Sequence, residues 1–316
     1  MPPIYLAGPV RTPIGRFGGS LAPLSAPDLG VHAATAALQR AGLAPEAVDQ
    51  TLFGHGRQAG AGPNPGRQVS VRAGVPVERP AWTVNMACGS GLKSALLGAD
   101  AIRLGQAEVV LAGGMESMSN TPYMLPKARW GYRLGTSPIV DGMYRDGFMC
   151  PLAGQIMGDT AENLVDKYGI TRDEQDAYAA RSQQRCEAAR KVDGFAAEKA
   201  AIELTDRKRG TYVFNTDEHA RDGITIEKMK KLPAVFRENG TVHAGNSSGI
   251  TDGAAAVVVM SEAAVEKHGT KPVARLLAYT EAGVDPRVMG IGPVPAVRQL
   301  LEETGLGVGD IDLWEL

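Results

Sequence analysis

WTVNMACGSGLKSALLGADAIRLG, residues 82–105, carries three signals in succession. Trp82 to Met86 reads as a short apolar strand, Gly89, Ser90 and Gly91 as a turn, and LKSALLGADAIRL as a helix by the spacing of its apolar residues. Cys88 stands at the joint. A free cysteine in such a place is most often a small core hydrophobe. Its neighbours support a second reading: Gly89 and Gly91 have no side chains to fence off the sulfur. The orphan N–H groups and dipole of the following helix would point at it, favouring thiolate over thiol and able to stabilise an oxyanion. That is the strand-to-helix elbow of acyl-transfer enzymes. A phosphate-binding loop is excluded, because its lysine follows the second glycine directly and here Leu92 intervenes. On these residues alone both readings of Cys88 stand.

Working outward, strand-like and helix-like runs alternate: IYLAG, APDLGVHAATAALQRAG, TLFG, WTVNM, the helix after Cys88, then EVVLAGG. Each strand is short and largely apolar, as expected where helices cover both faces of a sheet. The fold class is therefore α/β, in layers. From Ser119 to Gly240 the sequence turns charged and loop-rich, with helical pieces such as TRDEQDAYAARSQQRCEAARK, which opens on Thr171 as N-cap with Glu174 three residues later. This stretch reads as an inserted lobe. Layered character returns with DGAAAVVVMSEAAVEKHG and PVARLLAYTEAG.

The 316 residues exceed one compact domain and fit two or more units. With Lys+Arg 33 against Asp+Glu 35 the net charge is −2, so no basic excess points to nucleic acid. Cys88, Cys150 and Cys186 are widely spaced and odd in number, which argues against a disulfide framework and a zinc site and for a reducing compartment. The N-terminus has no basic segment ahead of an apolar core, and AAAVVVM, residues 254–260, is too short to span a bilayer. A soluble cytoplasmic protein with no membrane and no metal partner is expected. The stretch AGLAPEAVDQTLFG (41–54) pairs with TGLGVGDIDLWEL (304–316), Gly42 with Gly305 and Asp49 with Asp312, each after an amphipathic helix. The second copy stops where the first continues.

VNMACGSGLKSA, EVVLAGGMESMSNTPY, IMGDTAENLVDKYGITRDEQDAYAARSQ, GTVHAGNSSGITDGAAAVVVMSE and GVDPRVMGIGPVPA follow one another along nearly the whole chain. Together they resemble the thiolase family of acyl-CoA C-acetyltransferases. The resemblance implies two similar α/β halves, the second incomplete, with a loop domain inserted in the first. It divides the chain into 1–118 (N-terminal half), 119–240 (inserted loop domain), 241–268 (completion of the N-terminal half) and 269–316 (start of the C-terminal half). Chemically it implies Cys88 as a nucleophile that accepts an acyl group as a thioester, with Claisen condensation in one direction and thiolysis in the other. Acetyl-CoA or other acyl-CoA esters and CoA are the implied substrates, and no metal or redox cofactor is required. A homodimer or homotetramer in fatty-acid metabolism is the implied assembly and setting.

By motif, Ser248 matches a serine that meets the CoA pantetheine, with Ala244 and Gly249 along the same wall. Arg221 matches an arginine near the adenine end, Phe236 a nearby apolar contact and Met157 a methionine beside the acyl pocket. Without the resemblance, Arg221 would be read as solvated charge, Met115 and Met118 as core filler, and the runs RKR (207–209) and KMKK (228–231) as solvated faces. The chain departs from the family at Ile156, where biosynthetic thiolases commonly place a histidine. Family segments carrying an asparagine, an activating histidine and a second cysteine would lie beyond Leu316, and His32, His55, His219, His243 and His268 match none of these roles. The resemblance thus implies a C-terminally truncated chain with poor turnover. A ketoacyl synthase and a non-catalytic thiolase-like acyl-CoA or lipid-binding protein are the alternatives.

Overall fold

In the computed structural model, which describes residues 2–315, the chain forms two compact units. The first takes the chain up to Gly147, Val192–Ala220 and Gly249–Leu276; the second takes Phe148–Lys191, Arg221–Ser248 and the residues from Leu277 on.

The first unit is built on a mixed sheet. Its strands are β1 (Ile4–Arg11), β2 (Gly15–Arg16), β3 (Gln50–Gly54), β4 (Ala81–Val84), β5 (Val109–Ser117), β8 (Thr251–Ser261) and β9 (Ala274–Leu276), while β6 (Ile202–Asp206) and β7 (Gly210–Phe214) form a separate hairpin. The order is β9-β1-β8-β5-β3-β4, with β2 also on β8. β3 runs parallel to β4 and β5, while β8 runs antiparallel to β1 and to β5.

Alternation along the strands serves two cores. Val109, Leu111, Phe53, Val258 and Met260 face one side, where α1 (Ala26–Ala41) lays down Leu29, Ala33, Ala37 and Leu38 and α2 (Pro65–Arg72) adds Val69. Val110, Ala112, Leu52 and Val259 face the other, against Ala99 and Ile102 of α3 (Ser90–Arg103). The central strands β3, β5 and β8 are therefore apolar on both faces, as expected from the sequence, while the short edge strands β4 and β9 are partly exposed. A fully buried side chain such as Leu29 contributes roughly 1.5–3 kcal/mol. The hairpin sends Ile202, Leu204 and Phe214 into the α1-side core. α1 begins in a capping box between Ser25 and Asp28 and ends at Gly42, φ 69°. Met115 is core filler.

The second unit contains α4 (Met157–Tyr168), α5 (Arg172–Lys191), α6 (Ile226–Lys230) and α8 (Pro293–Thr304), α7 (Glu262–His268) belonging to the first. α5 opens as expected: the Thr171 N–H and hydroxyl donate to Glu174 Oε2, each at 2.8 Å, and Glu174 N–H donates back to Thr171 Oγ1. α8 ends at Gly305 with φ 70°, as α1 ends at Gly42, and a short 3-10 turn follows in each case. The repeated stretch thus repeats as structure through its cap and turn, but residues 311–315 carry no strand matching β3. The run PVARLLAYTEAG yields a strand only at Ala274–Leu276. No helix among the described residues is long and apolar enough to cross a membrane.

Candidate active site

The approach of α3 to the sheet sets the geometry at Cys88. Gly54 on β3 lies so close to the first residues of α3 that a Cβ there would stand 2.3 Å from the Ser90 carbonyl carbon. The helix start is thereby pressed onto the sheet with no side chain between. Ser94, on the next turn, accepts the Gly113 N–H at 3.0 Å and lies 2.7 Å from the carbonyls of Gly91 and Gly113, to either of which it can donate.

The chain turns into this helix through a strained link. Ala87 has φ 48°, in the left-handed region that residues bearing a Cβ seldom occupy. Ser90 Oγ clamps the turn, accepting the Met86 N–H at 2.8 Å and donating to the Ala87 carbonyl at 2.6 Å. Asn85 Oδ1 accepts the Ala87 N–H at 3.0 Å. Cys88 emerges exposed, whereas Cys150 and Cys186 are partly covered. Of the two sequence readings of Cys88, core filler is thus excluded: the thiol is open to a ligand and stands two residues ahead of the first residue of α3. Gly249, also in the first unit, is held against His219, whose ring would stand 2.0 Å from a Cβ placed there.

The other expected site residues, Met157, Arg221, Phe236, Ala244 and Ser248, lie in the second unit. Phe236 packs on Gly158, the neighbour of Met157 at the start of α4. Ala244 and Ser248 are exposed on the loop 241–248, which two helices clasp. From α4, the buried Glu162 accepts the N–H groups of Thr241 and Val242, each at 2.7 Å, and the Thr241 hydroxyl at 3.1 Å. From α5, Gln175 donates to Thr241 Oγ1 at 2.9 Å, and Asp176 Oδ1 lies 2.7 Å from His243 Nε2. His243 Nδ1 accepts the Gly245 N–H at 3.0 Å, so its proton sits on Nε2 and is donated to Asp176. Arg172 donates to Asp176 Oδ2 at 2.8 Å. Burial pushes the Asp176 carboxyl up, but the hydrogen bonds from His243 and Arg172 and the Arg172 charge outweigh it and hold the group below the ordinary carboxylate range. His243 is therefore a buried brace of the loop.

Arg221 is exposed, with its N–H donated to Gln183 Oε1 at 3.2 Å. The basic runs are solvated: Lys228 caps the Gly223 carbonyl at 2.6 Å, Lys230 pairs with Asp173 at 3.2 Å, and residues 207–209 sit in an exposed hairpin turn. Asn85, Glu162 and Asp176 were not singled out from the sequence. Asn85 could have been, since an Asn accepting from the N–H two residues on is the Asx turn.

Residues 4–263 match the family described as thiolase, N-terminal domain, and residues 270–316 the thiolase, C-terminal domain. The acetyl-CoA acetyltransferase of Cupriavidus necator is 46% identical over 316 residues, which is 100% of this chain and 80% of that protein. The structure of acetyl-CoA acetyltransferase from Syntrophomonas wolfei superposes with a TM-score of 0.97 at 40% identity, covering 99% of this chain and 78% of that one. Human mitochondrial 3-ketoacyl-CoA thiolase, in complex with CoA, does so with a TM-score of 0.93 at 42% identity, covering 99% and 78%. Nothing in these matches bears out the expected deficit in turnover.

Proposed function

From the premise that this chain belongs to the thiolase family, we infer that it is an acetyl-CoA C-acetyltransferase that passes an acyl group to or from coenzyme A through a thioester on Cys88. One observation carries the assignment of the nucleophile: the exposed thiol follows the left-handed Ala87 and stands two residues ahead of the first residue of α3. A thioester is a good acyl donor with a stable leaving thiolate, and the helix start favours the negative charge that develops during attack. The thiolate adds to the acyl carbonyl, CoA leaves as its thiolate, and the acyl group rests on sulfur until a second CoA ester or CoA itself takes it.

On this reading Ser248, Ala244 and Gly249 line the pantetheine, Arg221 and Phe236 serve the nucleotide end and Met157 the acyl end. The rigid clasp of loop 241–248 by Glu162 and Asp176 supports a wall of fixed shape there. Acyl-CoA esters and CoA act as substrates with no metal or redox cofactor, and a homodimer or homotetramer in cytoplasmic fatty-acid metabolism goes with the same reading. The test is incubation with acetyl-CoA, then peptide mass mapping, alongside a thiolysis assay with acetoacetyl-CoA and CoA. An acetyl group on Cys88 and thiolysis that Cys88→Ala abolishes are expected. Binding of acyl-CoA with no acyl group on Cys88 would replace the enzyme with a non-catalytic acyl-CoA carrier.

A further inference from the structure

The strained turn before Cys88 is the end of a chain of hydrogen bonds that begins at an acidic residue on another strand. Glu116, on β5, accepts the N–H groups of Gly56 at 3.1 Å and Arg57 at 3.2 Å, and its Oε1 lies 3.2 Å from Nε2 of the buried His55. Gly56, so fixed, accepts the Asn85 side-chain amide on its carbonyl at 3.1 Å. The other end of that amide, Oδ1, takes the Ala87 N–H at 3.0 Å. The distances involved are short: a Cβ added to Gly56 would stand 3.0 Å from Glu116 Oε2 and 3.6 Å from the Ala87 carbonyl oxygen. Little more than that glycine separates the carboxylate from the turn.

Resting on the reading of Cys88 as the acyl acceptor, we propose that Asn85 and Glu116 are positioning residues for it: Glu116 fixes residues 55–57, and Asn85, braced on Gly56, holds Ala87 in its left-handed conformation. Asn85 is exposed, so water could satisfy its amide without the protein's help. Its two bonds therefore serve shape rather than rescue a buried polar group. Ala87 has no side-chain reason of its own to stay at positive φ. Without Asn85 the turn relaxes toward negative φ, the peptide leading into Cys88 rotates, and the thiol leaves the line of attack on a bound thioester. A displacement on the order of 1 Å at a reacting group typically lowers the rate about 100-fold. Ser90 Oγ spans the same turn from the Met86 N–H to the Ala87 carbonyl, so the loss of Asn85 removes the one side-chain hold on the Ala87 N–H and does not unfold the turn.

The experiment compares wild type, Asn85→Ala, Glu116→Gln, Ala87→Gly and Asn85→Ala/Ala87→Gly. For each, the rate of Cys88 acetylation by acetyl-CoA and the rate of its alkylation by iodoacetamide are read by peptide mass. Asn85→Ala is expected to slow acetylation by about ten- to a hundred-fold while alkylation, which needs only an accessible thiol, changes little. Glu116→Gln moves acetylation the same way. Ala87→Gly recovers much of the Asn85→Ala loss, because glycine takes the left-handed conformation unaided. Should Asn85→Ala give no folded protein, Glu116→Gln decides by the same two rates. Acetylation unaffected in both variants, or lost in step with alkylation and not recovered by Ala87→Gly, overturns the proposal. A wild-type protein that takes no acetyl group on Cys88 overturns the acyl-acceptor reading and this proposal with it, whereas an acetylated wild type with indifferent variants overturns this proposal alone.

Discussion

Phe236 lies against Gly158 so closely that a methyl group on Gly158 would stand 2.2 Å from the ring. The ring and the first turn of α4 are thus fitted to each other, and no larger residue fits at 158 while Phe236 keeps its place. Gly158→Ala is expected to destabilise the protein by about 1–3 kcal/mol through overpacking. Adding Phe236→Ala should relieve part of that loss, so that the two changes sum to less than their separate effects. Urea denaturation of the two single variants and the double variant reads the coupling, and strict additivity would show that the ring does not lie where it is described.

Cys88 should be the first of the three cysteines to react. It is exposed while Cys150 and Cys186 are partly covered, and Cys150 Sγ accepts the Ala153 N–H at 3.4 Å. Mild alkylation at neutral pH followed by peptide mapping is expected to label Cys88 several-fold before the others. Preferential labelling of Cys150 or Cys186 contradicts the exposed elbow.

Ser248→Trp is expected to weaken CoA binding by roughly ten-fold or more, about 1.4 kcal/mol, with little change in stability. The side chain is exposed and makes no contribution to the core, so the indole can only obstruct the surface that Ser248 lines. Isothermal titration with CoA measures it; unchanged affinity removes Ser248 from the pantetheine wall.

The carboxyl of Asp176 is held low in the folded protein, below its unfolded value of about 3.9. Its contribution to stability is therefore present above the unfolded value and lost as pH falls through the folded one. At neutral pH Asp176→Ala should cost about 3–5 kcal/mol, since it leaves the buried His243 without its acceptor and the part-exposed Arg172 without its carboxylate partner. The gap between the variant and wild type should narrow as pH is lowered below about 4. Thermal melts across the acid range test this, and a gap that widens in acid would reverse the sign and refute the assignment.

Much of the first unit is legible in the sequence because its rules are local. Apolar runs mark β5 and β8, Thr171 announces a helix start, and Gly42 and Gly305 mark helix ends. The strand, turn and helix around Cys88 follow from the apolar run before it and from Gly89 and Gly91 just after it. What the sequence hides is non-local or unusual. An alanine gives no sign that it will take positive φ, as Ala87 does, because that conformation is imposed by Asn85 and Ser90. Asp176 and His243 are 67 positions apart, and nothing in either stretch marks them as partners. Glu162 sits within the quoted TAEN segment, yet its role as the anchor of residues 241 and 242 emerges only when α4 is seen beside that loop. The proposed roles of Arg221 and Ser248 toward CoA rest on the motif resemblance alone, since single exposed positions carry no periodic signal.

The central position of β8 has a consequence for biosynthesis. β8 lies between β1 and β5, yet it ends at Ser261 while β1 begins at Ile4. A ribosome adding roughly 5–20 residues per second leaves the facing edge of β1 without its partner for about 12 to 50 seconds and that of β5 for about 7 to 30 seconds. During that time two apolar strands offer unpaired amides and carbonyls to any neighbouring chain. The fold thus makes the nascent polypeptide, rather than the finished protein, the species most exposed to misassembly. It also sets the moment of closure, when residues 251–261 leave the exit tunnel and fill the gap.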